Sequence, residues 1–84
     1  MDSEAKDTII SLYYDPVENM PQETIADKLR YLRAKNNLFQ KDLAVALCLS
    51  KAAVEGWETN YRTPSKSNLE KIASYYNIEI SYFD

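Results

Sequence analysis

Residues Gln40 to Thr59 read QKDLAVALCLSKAAVEGWET, and this stretch decides the fold. Its apolar positions Ala44, Leu47, Leu49 and Val54 recur at the spacing of two short helices that meet across a tight turn. Ala44 is small enough to let the two helices approach closely where they cross. Ser50 stands where the second helix needs an N-cap, because a serine oxygen can accept one of the backbone N–H groups that a helix start leaves unpaired. The first helix of the pair is predicted from Gln40 to about Leu47 and the second from Lys51 to about Thr59.

Outward from this pair the pattern stays helical. Ile25, Leu29 and Leu32 repeat at i, i+4 and i+7, one face of an amphipathic helix, with Lys28, Arg30, Arg33 and Lys35 on the remainder. Pro21 suits a place at or just before its first turn, and Asn36-Asn37 suits its end because Asn tolerates left-handed geometry. On the other side, Asn60-Tyr61-Arg62-Thr63-Pro64 reads as a loop. A fourth helix opens near Ser65 or Ser67, the latter with Glu70 three residues on as in a capping box. Leu69, Ile72, Ala73 and Tyr76 give it an apolar face, Asn77 a left-handed end, and a last helical piece is expected around Ile80 to Phe83. Upstream, DTIISLYYDP fits a short helix or an extended arm equally well. No segment alternates as a strand does, and nothing repeats. The expected architecture is all-α: a five-helix domain over residues 24–84, preceded by an acidic extension over residues 1–23.

Eighty-four residues suit one domain with a small core. Seven tyrosines, one tryptophan and two phenylalanines favour a folded chain over a disordered one. Cys48 is the single cysteine, which excludes an internal disulfide framework and fits a reducing cytosol. With no apolar run of bilayer length and no signal-peptide pattern, a cytoplasmic protein is expected, with no membrane partner. The net charge of −3 is unevenly spread. Residues 1–24 hold six acidic side chains and Lys6, a net −5, whereas residues 25–84 hold nine basic and seven acidic side chains, a net +2. An acidic arm thus precedes a mildly basic body, and local patches, more than the total, govern attraction to phosphates. The chain contains no histidine and one glycine, so it offers neither a general base of the commonest kind nor a glycine-rich phosphate loop. One cysteine without histidine cannot build a zinc centre. No enzyme activity, cofactor, metal or small-molecule ligand is expected.

Taken together, IADKLRYLRAKNNL, the Gln40–Thr59 pair with Ser50 before its second helix, Trp57-Glu58, Arg62-Thr63-Pro64-Ser65 and LEKIASYYNIEISYF resemble the lambda-repressor/Cro-like (Xre-type) helix-turn-helix family over roughly residues 24–84. The resemblance implies a DNA-binding transcriptional regulator, most simply a repressor, whose second helix of the pair enters the major groove. Carried over position by position, Lys51, Ala52, Glu55 and Gly56 become candidates for base edges, with Gly56 allowing close backbone approach. Gln40, Asn60, Tyr61, Arg62 and Lys66 become candidates for phosphates. A homodimer on a palindromic DNA operator is the implied assembly, its seam formed by the Tyr75–Phe83 apolar residues or by the Ile9–Tyr14 arm.

Four departures from the family pattern bear on this. Cys48 occupies the turn position usually held by Gly, at a cost of about 1 kcal/mol where φ is positive; its side chain reads as small, apolar and buried. Phe39 stands where a Ser, Thr or Asn usually caps the first helix of the pair. Asn60 replaces a Gly after the second. The recognition face itself, with Ala52, Ala53, Glu55 and Gly56, is short of long hydrogen-bonding side chains. That last departure supports a competing reading, a protein-interaction module on the same fold, such as an antitoxin or a sequestering regulator. Trp57 reads as core.

Overall fold

The computed structural model describes residues 17–84. Four α-helices run α1 (Ile25–Lys35), α2 (Gln40–Ala46), α3 (Lys51–Glu58) and α4 (Lys66–Tyr76), with single 3-10 turns at Val17–Asn19 and Ile80–Phe83. No strand occurs among the described residues. The expected fifth helix is therefore a 3-10 turn, closed by i→i+3 bonds from Tyr82 N–H to the Glu79 carbonyl and from Asp84 N–H to the Ser81 carbonyl. The acidic extension lies mostly outside the described residues, the Ile9–Tyr14 arm entirely so. Its last part, from Val17, lies beside α1, and the Gln22 side chain accepts a 2.5 Å hydrogen bond from the Tyr82 hydroxyl.

The helix starts follow from short polar side chains. Thr24, not Pro21, begins α1: its hydroxyl accepts from Asp27 N–H at 3.0 Å, and the Asp27 carboxylate accepts from Thr24 N–H at 3.2 Å. The Thr24 backbone N–H, with its hydroxyl and Arg30 adding to the effect, holds the Asp27 carboxyl below the usual range. Phe39 has no side-chain acceptor, so α2 gets only half a capping box, Asp42 accepting from Phe39 N–H at 2.8 Å. Ser50 and Ser65 cap α3 and α4 through bonds of 3.1 Å from Ala53 N–H and Asn68 N–H. Ser65 thus decides the start of α4, and the Ser67–Glu70 alternative is not used.

The helix ends need left-handed residues. Asn37 (φ 56°), Cys48 (φ 58°) and Asn77 (φ 57°) each follow a helix. In every case the next residue's N–H reaches back to the carbonyl five positions before it: Leu38 to Arg33, Leu49 to Ala44, Ile78 to Ala73. Asn suits such a position, whereas Cys does not, and Cys48 is also exposed rather than buried as its apolar character suggested. The Cys48 side chain is directed outward because the closure turns the backbone there. Cys48→Gly relieves the left-handed penalty and returns part of the gain as unfolded-chain entropy. A net stabilisation of about 0.5–1 kcal/mol is expected, read as a rise of a few degrees in melting temperature; a fall would show that Cys48 makes compensating contacts.

One core joins the helices: Leu29 and Leu32 from α1, Leu43 and Ala44 from α2 with Leu47 at its C-cap, Val54 and Trp57 from α3, Ile72 and Ala73 from α4, and Phe83. Ala44 is buried at the α2–α3 crossing, as its size requires. Phe83 plugs the base of the core, with Tyr76, Ile78, Ile80 and Tyr82 packed against it. Of the C-terminal apolar residues expected at a dimer seam, Phe83 is buried, Tyr76, Ile78, Ile80 and Tyr82 are half-buried, and Tyr75 is exposed. No helix among the described residues is long and apolar enough to cross a membrane.

Candidate nucleic-acid interface

The α3 sequence sorts its side chains by helical register. Val54, Trp57 and Glu58 turn inward, while Lys51, Ala52, Glu55 and Thr59 are exposed. Lys51, Glu55 and Thr59 follow one another at i, i+4, i+8 and form a single outward stripe. The Thr59 hydroxyl is held against the helix end by donating to the Glu55 carbonyl at 3.0 Å. Three of the four expected base readers, Lys51, Ala52 and Glu55, therefore share a solvent-facing surface beginning at the Ser50 cap. Gly56 does not, and its reading as an exposed backbone position is corrected. It is buried under the Arg62 side chain, whose Cδ, Cγ and Cβ lie 3.5, 3.6 and 3.7 Å from where a Cβ on Gly56 would sit.

Among the expected phosphate partners, Asn60, Tyr61, Arg62 and Lys66 are all exposed, on the loop after α3 and the first turn of α4. Asn60 takes the left-handed geometry (φ 64°) that turns the chain at the end of α3. Arg62 N–H then donates to the Gly56 carbonyl at 3.0 Å, which pins the loop back onto the helix. Tyr61 is 80% exposed, and the Arg62 guanidinium carbon stands 5.8 Å from its ring centroid. Between α3 and the start of α4 runs an open groove of about 690 Å³ bordered by Ala52, Ala53, Trp57, Arg62 and Ser65. Gln40 differs from the others. Half-buried, its amide donates to Glu58 at 3.1 Å and so faces inward, away from a phosphate.

That bond belongs to a network that the sequence reading missed. Arg33, counted there among the charges on the solvent side of the first helix, is buried, and its guanidinium grips the Glu58 carboxylate with Nε at 2.6 Å and Nη2 at 2.7 Å. Its Nη1 donates to the Leu38 carbonyl at 3.0 Å. Arg30 donates to the Glu58 backbone carbonyl and, at 2.5 Å, to Asp27. One acidic residue at the end of α3 thus ties together α1, the start of α2 and α3. The register carried a signal: Arg33 lies four residues after Leu29, and Glu58 four after Val54, so opposite charges occupy two inward positions. The Tyr76 hydroxyl is buried without a hydrogen-bond partner. Burial first, and the Glu58 charge second, push its ionisation far up, so it stays neutral beside the pair.

Residues 29–83 match a family model described as Helix-turn-helix, about two thirds of the chain. No curated protein and no solved structure matches.

Proposed function

The chain belongs to the lambda-repressor-like (Xre-type) helix-turn-helix family, and from that premise we propose that it is a sequence-specific transcriptional repressor that binds a palindromic operator as a homodimer. The observation that carries this reading is the exposure of Lys51, Ala52 and Glu55 together on the outward side of α3. In the major groove Lys51 donates to guanine O6/N7, Glu55 accepts from cytosine N4, and Ala52 meets a thymine methyl. Asn60, Tyr61 and Lys66, exposed on the loop after α3 and the first turn of α4, supply phosphate contacts that set the register. Gln40 contributes a phosphate contact only if its amide leaves Glu58.

One such surface reads few base pairs, and the basic body carries a net charge of only +2. Two copies on half-sites about one helical turn apart give the affinity and specificity that one copy lacks. Titration of random duplex at low and at high salt, followed by selection of bound sequences and sedimentation on the selected operator, tests the proposal. Salt-sensitive binding, a two-fold symmetric consensus and two chains per operator are expected. Lys51→Ala should flatten preference at one base-pair position in each half-site. If no duplex binds even at low salt, the exposed acid on α3 points instead to a protein partner.

A further inference from the structure

The recognition helix lacks long hydrogen-bonding side chains on the flank defined by Ala52 and Gly56, which are neighbours at i, i+4. That flank is nevertheless covered. The Arg62 stem lies across Gly56 with three consecutive methylene carbons at 3.5–3.7 Å from the position a Cβ would take. Its N–H is bonded to the Gly56 carbonyl at 3.0 Å, and its guanidinium sits against the exposed Tyr61 ring. The same side chain borders the groove that Ala52 and Ala53 line. A loop arginine is thereby seated on the recognition helix, in a notch that any side chain larger than alanine at position 56 would fill.

We propose that Arg62 is a specificity-determining residue: seated in the Gly56 notch, it delivers a guanidinium to a base edge beside Ala52 and supplies the reader that the recognition helix itself lacks. An alanine Cβ at position 56 would make ordinary contact with the arginine stem, so the seat excludes larger side chains at this position and does not by itself demand glycine. The seat also alters what Arg62 is expected to do. A guanidinium held by its stem against a helix has a fixed reach and can form the two-pronged contact to guanine O6/N7, whereas a freely swinging loop arginine contacts phosphates without regard to sequence. The inference rests on the DNA-binding reading given above.

Selection of bound duplexes from a pool with a randomised core, run in parallel on the parent protein and on Arg62→Ala, Arg62→Gln and Gly56→Leu, tests it, with circular dichroism melts confirming that each variant is folded. The parent is expected to prefer guanine at one position of each half-site by about fivefold or more. Arg62→Ala should remove that preference and leave the other positions intact. Arg62→Gln keeps three carbons for the seat but ends two bonds short of the guanidinium nitrogens, so with a fixed reach it too should lose the guanine preference. Gly56→Leu keeps the arginine and its charge but fills its seat, and should lose the same position as Arg62→Ala. Uniform weakening of all sequences by Arg62→Ala, with an unchanged consensus, would overturn the proposal in favour of a phosphate contact. A parental consensus retained by Gly56→Leu would equally overturn it, since the seat would then place nothing. A parent protein that binds duplex but enriches no sequence, or does not bind at all, refutes the regulator reading itself, a failure distinct from either of these.

Discussion

Glu58→Ala is expected to destabilise the domain by about 3–5 kcal/mol, the loss typical when one partner of a buried ion pair is removed. The magnitude follows from what is left behind. Arg33 is 6% exposed, and two of its three guanidinium nitrogens are satisfied by the Glu58 carboxylate at 2.6 and 2.7 Å. Without that carboxylate a cation that cannot deprotonate stays in the core, its Nε and Nη2 having lost their acceptor while Nη1 keeps the Leu38 carbonyl. Gln40 loses its acceptor in the same step. Against a total stability of roughly 5–15 kcal/mol for a small domain, this takes a large share, and the melting temperature should fall by well over 10 °C. Arg33→Ala should cost a similar amount by the reverse argument. The combined replacement of Arg33→Met and Glu58→Leu removes both charges and fills the space with apolar volume, so it should recover most of the loss. Thermal and urea melts of the four proteins check this. A single-variant loss below about 1 kcal/mol would mean that water reaches the pair. The double replacement should still impair DNA binding if the network's work is to hold the recognition helix at its angle, because Glu58 also ties the start of α2 through Gln40.

The scaffold was legible in the sequence for a specific reason: its boundaries are written in residues with one strong local preference each. Ser50 announces α3, Asn77 closes α4, and Ala44 marks the crossing, each through backbone geometry or size alone. Where a boundary had two candidates of the same chemistry, Ser65 and Ser67, local reasoning could not choose between them. Pro64 is buried and the chain enters α4 directly behind it, so packing decided. The last helical piece was expected around Ile80 to Phe83 and is a single 3-10 turn there, which suffices to put Phe83 into the core. The site was read less well than the fold. Lys51, Ala52 and Glu55 follow from helical register. The burial of Gly56, by contrast, depends on a side chain six residues away that folds back across the helix, and no periodicity encodes that contact. Arg33 and Glu58 were hidden by the expectation that charges face water, although both occupy inward positions.

Trp57→Ala is expected to cost about 3–5 kcal/mol, comparable to the loss of Glu58 but by a different route. Trp57 is 5% exposed and belongs to the common core, where it anchors the recognition helix from below. Truncation to alanine removes the apolar area of the whole ring and leaves a cavity that the surrounding helices, fixed by the Arg33–Glu58 clamp, can close only in part. The cavity would also open toward the α3–α4 groove that Trp57 borders, and water admitted there would reach the seat of Arg62. Trp57→Phe keeps an aromatic ring and should cost markedly less, leaving a folded protein at room temperature. That variant separates packing from contact. If Trp57 serves only the core, Trp57→Phe binds its selected operator as the parent does, with the same preference at every position. If it folds with nearly the parental melting temperature but loses affinity, the indole reaches DNA across the groove, and the division of α3 into an inward and an outward face is wrong at this residue.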